Sequence, residues 1–279
     1  MKTLLFLLPT FALGQSLPEA ELLLDLDATK GTEIDAKQRV LSWANQAPGY
    51  ENLVFKKQDK GRKIPLSGCP TYRPADSTNG KPAALIFRQG ELVCPNEDIF
   101  DSLTTGKGHT WIALLSVFEQ RIGLKDVNSF FGNLRNGAKY EGLWGCLNDD
   151  NSLWFGTRNG PTFGRFDQNN PKLNGPKLET GRFYLIAGRQ AAGTGEVLLE
   201  LFLDHPAKAI ASAPFPVNGK ANPSRLAIGQ ERDAVEHPGK ESFDGEIARF
   251  LIWERPLSDK ELTATFAELK KNYRLNTPQ

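Results

Sequence analysis

Apolar residues in this chain come in short runs, each closed by glycine, proline, asparagine or aspartate, which is the signature of many strands joined by turns. Glu21 to Asp27 (ELLLDLD) reads as a first strand, and Val40 to Trp43 as a second closed by the turn residues 45–49. Lys81 to Phe87 and Glu91 to Val93 bracket a turn at Gln89-Gly90. His109 to Phe118 is a strongly β-forming run whose length and near-continuous apolarity predict burial on both faces, hence a central strand. Ser129 to Asn133, Gly142 to Leu147 and Ser152 to Thr157 form a ladder of short strands. Arg182 to Gly188, Glu196 to Asp204, Leu226 to Gly229 and Phe243 to Trp253 complete the set. One segment changes to a helical period. Ser258 is a good N-cap with Glu261 at the third helical position, Leu257 and Leu262 form the matching staple, and Leu262, Phe266, Leu269 and Tyr273 make one stripe. Strands at short intervals with a single helix predict an all-β protein. The expected form is a two-sheet antiparallel jelly-roll sandwich with the Ser258 to Asn272 helix packed on its edge.

The N-terminus carries a different pattern. Lys2, the apolar stretch Leu4 to Ala12 and the small-x-small triplet Ala12-Leu13-Gly14 before Gln15 have the order of a secretory signal. The stretch is shorter than the roughly 20 residues a membrane span needs, and no cysteine follows to carry a lipid. The expectation is a signal peptide over residues 1–14, a single domain over 15–279, and a secreted or periplasmic protein without membrane insertion. With 34 basic and 33 acidic residues, loss of Lys2 leaves the charges balanced, and no long single-sign run marks a nucleic-acid partner. Export makes the three cysteines notable. Cys69 and Cys94 each precede a proline and flank one strand pattern, so they are a candidate disulfide that would stabilise the fold by about 3 kcal/mol. Three pairings are open, since Cys146 is also present. No Cys-x-x-Cys or His-x-x-x-His spacing offers a zinc site.

The Phe243-Asp244-Gly245-Glu246-Ile247 block, followed by Pro256-Leu257-Ser258-x-x-Glu261, resembles the end of the laminin-G-like, concanavalin A-like jelly-roll domains of secreted bacterial proteins. Weaker matches precede it: the strand ending in Trp43, Pro82 to Phe87, Trp111 to Phe118, Phe183 to Gly188, Val197 to Leu203, and Leu226 to Gly229. The resemblance implies a two-sheet jelly roll with a curved concave face. It implies carbohydrate binding, as in a lectin, or adhesion, and no single chemistry.

Catalytic patterns are scarce. The Glu-x-Asp-x-x-Glu string of glycoside hydrolases on this scaffold does not occur, nor do Gly-x-Ser-x-Gly, His-Glu-x-x-His or a P-loop. Glu196, Glu200 and Asp204 share a strand face at intervals of roughly 13 Å, too far apart for paired carboxylates. Asp244 and Glu246 lie about 7 Å apart along one face, a spacing compatible with an inverting pair, but in a block whose polar residues are expected to face solvent. His109 reads as a surface or strand-end residue, and His205 and His237 precede prolines in turns. No catalytic residue is assigned.

Recognition has one candidate. Tyr140, Trp144, Trp154 and Phe155 fall within sixteen residues, interleaved with Asn148-Asp149-Asp150-Asn151 and followed by Arg158 and Asn159. Aromatic faces with nearby amides and charges suit a sugar ring and its hydroxyls. The competing reading makes the aromatics core residues and the Asn/Asp run a hairpin turn. Asp149 and Asp150 also offer oxygens for a calcium ion, which laminin-G-like domains often bind. The sequence therefore points to a secreted, non-catalytic carbohydrate-binding or cell-surface interaction module whose partner is a glycan or an extracellular protein. A polysaccharide-active hydrolase or lyase, or a structural adhesion module, are the alternatives.

Overall fold

The computed structural model describes residues 17–59, 62–120, 127–135, 140–160, 170–231 and 239–275. The leader with its cleavage site, Lys60 and His237 lie outside them. In chain order the strands are β1 (Leu22–Asp27), β2 (Thr32–Ile34), β3 (Val40–Ala44), β4 (Val54–Lys56), β5 (Thr71–Arg73), β6 (Ala84–Arg88), β7 (Leu92–Val93), β8 (His109–Val117) and β9 (Asn128–Gly132). They continue with β10 (Glu141–Leu147), β11 (Ser152–Asn159), β12 (Lys172–Lys177), β13 (Phe183–Gln190), β14 (Glu196–Leu203), β15 (Ala211–Pro216), β16 (Ala227–Ile228) and β17 (Asp244–Trp253). A short 3-10 turn spans Asp98–Leu103, and helix α1 spans Asp259–Asn272.

Two sheets hold these strands, and every ladder between named strands is antiparallel. One runs β15-β14-β13-β8-β17-β6-β5, with β1 beside β17; the other runs β12-β11-β10-β9-β16-β7-β4-β3-β2. The long strand β17 serves two neighbours on one edge: Asp244 to Ile247 pair with β6, and Arg249 to Trp253 pair with β1. A register shift between Ile247 and Arg249 accommodates the change.

Strand alternation divides the apolar residues into layers. From β8, Trp111, Ala113, Leu115 and Val117 enter the core between the sheets, where Phe55, Phe87, Phe130, Phe131, Phe155, Phe243 and Phe250 also pack. Ile112 and Leu114 point the other way, into a second cluster with Leu251, Trp253, Leu257, Leu262, Phe266 and Leu269. This is why β8 is buried throughout. It also places α1 over the outer face of the first sheet, not on the sandwich edge as expected. The strands β8 and β17 are apolar on both sides, and a helix stripe is what covers the second side. Gly188 of β13 is opposite Trp111, and a Cβ there would collide with the indole.

The helix start is as the sequence specifies. Glu261 N donates to Ser258 Oγ at 3.3 Å, Ser258 N donates to Glu261 Oε2 at 2.9 Å, and Leu257 and Leu262 are buried. Arg255 also pairs with Glu261 at 2.7 Å, and these partners pull the Glu261 carboxyl down to about 2.

The proposed Cys69–Cys94 bridge is corrected: Cys69, Cys94 and Cys146 are all thiols, none joined in a disulfide. Cys69 lies half-buried with Sγ 3.5 Å from Val40 O, while Cys94 packs in the inter-sheet core and Cys146 Sγ lies 2.7 Å from Ser129 Oγ. Each thiol is held by a different neighbourhood.

Candidate functional site

The predicted aromatic cluster forms in part. The β10–β11 register sets Cys146 against Trp154 and Trp144 against Gly156. Trp144 and Trp154 therefore share the outer face of the second sheet, edge to face at 5.6 Å, in a small cluster with Val127, Leu134 and Cys146. The Arg158 guanidinium stacks over Tyr140 at 4.8 Å and Trp144 at 5.5 Å, and Lys172 Nζ sits 4.4 Å from the Trp154 ring. Both indoles are buried, 1% and 0% exposed, so neither presents an open platform for a sugar. Phe155 and Asn159 point to the opposite side. Phe155 stands edge-on to Trp111 in the main core at 5.2 Å, and Asn159 Nδ2 donates to Pro216 O at 2.9 Å, tethering the end of β15. The packed reading of these aromatics is the one that the burial supports.

The Asn/Asp run is a tight hairpin turn with Asn151 at φ 68°. Asp150 Oδ1 accepts from Ser152 N at 2.9 Å and from Ser152 Oγ at 2.6 Å, which holds its carboxyl below the ordinary range. Asp149 is exposed. Among the described residues no group of three or more His, Cys, Asp or Glu side chains gathers at Asp149 and Asp150, the pair expected to offer oxygens to calcium.

Most of the carboxylates that spacing singles out have a cationic or backbone partner. Glu200 pairs with Arg189 at 2.7 Å and Asp204 with Arg182 at 2.5 Å, while Glu196 is exposed. Asp244 and Glu246 share a strand face but do not face solvent: they are 1% and 3% exposed. Gln89 N donates to Asp244 Oδ1 at 2.9 Å, and Arg73, from the edge strand β5, covers Glu246 with an ion pair of 2.7 Å. His109 does begin β8, as the sequence predicts, but the surface placement is corrected. It is fully buried, with Nδ1 2.7 Å from Leu103 O, and burial pushes it down to about 4.

A groove that the sequence does not advertise lies on the first sheet's outer side, where α1 ends. Its main cavity, about 660 Å³, is walled by Lys81, Arg182, Phe183, Asp204, Lys270 and Arg274. Each wall has a local cause. Lys81 closes a turn in which its N and O bond to Asp76 O and N, both at 2.9 Å. Arg182 follows Gly181 at φ 80°, stacks over Tyr184 at 4.4 Å and pairs with Asp204. Lys270 Nζ donates to Asp204 O at 2.8 Å, and Arg274 turns the chain at φ 50° past the helix. Among the described residues Asp204 is the only carboxylate in this wall, and its oxygens are taken by Arg182 and by Leu185 N at 3.0 Å. The arrangement is a polar, positively charged recess with one aromatic side chain, of the size that small ligands occupy. These cations are spread over nearly two hundred positions, so no local spacing signals them.

No protein-family model matches the chain, and no curated protein matches it. Solved structures do. A Trypanosoma rangeli sialidase in complex with sialic acid matches with a TM-score of 0.59 and 15% identity, over 93% of this chain and 34% of that one. The binding domain of Botulinum Neurotoxin DC in complex with SialylT matches with a TM-score of 0.53 and 10% identity, over 90% of this chain and 52% of that one. The chain thus spans about a third of the sialidase and about half of the toxin domain. At these identities the likeness is one of fold.

Proposed function

We propose that this protein is a glycan-binding β-sandwich that holds its ligand without cleaving it. The observation that carries the reading is the groove beside Phe183, where an aromatic ring and the cationic side chains of Lys81, Arg182, Lys270 and Arg274 line one recess between sheet and helix. Aromatic carbon against a sugar ring, with a few polar groups for its hydroxyls, is what such a ligand requires. The two solved structures of like fold are described with sialic acid and with SialylT, in chains of which this one spans only part. Binding without cleavage accords with the carboxylates: Asp244, Glu246, Glu200 and Asp204 are each engaged by a donor or an ion pair. Export by a leader over residues 1–14 and a single domain from residue 15 onward belong to the same reading, and N-terminal sequencing of exported material tests the first.

A glycan array probed with the full chain, followed by reducing-sugar assays on the bound glycans, tests the proposal. Expected is binding that Phe183→Ala removes, without sugar release. No glycan bound, or release that Glu246→Gln abolishes, overturns it.

A further inference from the structure

The groove has a second lobe. A smaller cavity of about 400 Å³ adjoins the first and shares Gly80, Lys81 and Arg274 with it, so the two are neighbours across one pair of cationic side chains. The second lobe is different in character. Ser77 and Asn272 supply hydroxyl and amide groups, Asp76 a carboxylate whose oxygens accept from Thr78 N, Asn79 N and Asn79 Nδ2, and Pro82, Ala83 and Tyr273 supply apolar surface.

Charge separates the lobes further. Arg182 is matched by Asp204, but among the described residues no carboxylate lies within ion-pair distance of Lys81, Lys270 or Arg274. The end of α1 offsets part of this charge through the helix dipole, to which Lys270 and Lys271 are suitably placed in the last turn. Lys81 comes from the turn before β6, and its charge is not part of that pairing. Lys81 and Arg274 line both lobes, but Arg182 and Lys270 stand only in the first and the Asp76 carboxylate only in the second, so the first suits an anion and the second a neutral polar group beside it.

We propose that the ligand is an oligosaccharide ending in a carboxylated sugar. The carboxylate enters the first lobe against Lys81, Arg182 and Arg274, with the sugar's C–H face on Phe183. The adjoining neutral sugar occupies the second lobe, its hydroxyls on Ser77 and Asn272 and its ring beside Tyr273. Guanidinium groups match a carboxylate in plane and charge, and an aromatic wall beside them favours a ring-borne anion over a free ion. This rests on the groove being the glycan site.

Calorimetric titration of the full chain separates the outcomes. The probes are oligosaccharides ending in sialic or glucuronic acid, the same oligosaccharides ending in a sulfated sugar, and the neutral parents. Expected are binding of the carboxylated probes, a loss of about tenfold with Lys81→Gln or Arg274→Gln, and weakening as salt is raised. Shortening the probe to the free acidic sugar removes the effect of Asn272→Ala. Neutral parents binding as well as the acidic probes, with Phe183→Ala still abolishing binding, overturns this inference and leaves the glycan site standing. Preference for the sulfated probe overturns the carboxylate assignment. No binding of any probe removes the glycan reading itself. Thermal melts of each variant exclude unfolding; all the residues substituted line the surface groove.

Discussion

His109 makes stability depend on pH in a direction and size that the structure sets. Its ring is fully buried beside Phe155, and Leu103 O can only accept, so Nδ1 carries the proton and Nε2 stays bare. Among the described residues Nε2 meets no hydrogen-bond partner, and the bond to Leu103 O offsets only part of the cost of charging the ring. Burial pushes the group from 6.5 to about 4. The unfolded chain therefore binds more protons between those values, and stability rises with pH. Above pH 6.5 the contribution is complete; it is lost as pH falls toward 4. At 1.36 kcal/mol per unit the whole effect is about 3 kcal/mol, of which about 2 kcal/mol is gone by pH 5. His109→Asn keeps an N–H for Leu103 O and cannot titrate. Urea unfolding of both proteins at pH 7.5 and pH 5 isolates the term, because other titrating groups cancel in the difference. The parent should lose about 2 kcal/mol more than the variant. Equal losses would refute the buried neutral imidazole.

Asp101 opposes this trend: burial raises its carboxyl from 3.8 to about 6, so its contribution to stability is lost as pH rises through 6. Asp101→Asn should gain stability relative to the parent between pH 4 and pH 8, measured by the same unfolding curves. Trp144→Ala should cost about 3–5 kcal/mol in denaturant unfolding, because the indole is packed; a loss under 1 kcal/mol would mean that it is accessible. Ser258→Ala should lower stability by about 1 kcal/mol through loss of the helix cap. Unfolded without reductant, the chain should titrate as three thiols, and the native protein should react first at half-buried Cys69; one thiol would restore a disulfide.

The fold was legible where one physical requirement dominates each segment. From Trp111 to Val117 every second position is apolar, and Ile112 and Leu114 add apolar residues on the other face, so the strand had to be central. Ser258, Glu261, Leu257 and Leu262 define a helix start that needs no tertiary context. The hydrophobic pattern does not predict strands β2, β4, β5, β12 and β15. The first three span three residues each, too few for alternation to register. In β12 and β15, Lys-Leu-Asn-Gly-Pro-Lys and Ala-Ser-Ala-Pro-Phe-Pro read as breakers. Both lie at sheet edges, where proline's missing N–H need not serve a ladder. Proline marks the edge of a sheet as readily as the end of a strand.

Legibility of the site followed the opposite logic. Tyr140, Trp144 and Trp154 drew attention because they are close in sequence, yet residues that crowd one hairpin have the best chance of packing on one another, as these indoles do. Aromatic density on a strand pair is evidence of a layer before it is evidence of a ligand. The cationic groove arises differently. Lys81 precedes β6, Arg182 precedes β13, Lys270 closes α1 and Arg274 follows it. Each stands at an element end, where a long charged side chain reaches water and is individually unremarkable. Only the antiparallel order β13-β8-β17-β6 and the docking of α1 across that sheet bring the ends to one place. A site assembled from element ends carries no spacing rule, because its distances are set by the sheet and not by the chain. In a sandwich such as this, the residues to test for binding are therefore the charged ones that topology gathers where an outer helix leaves the sheet.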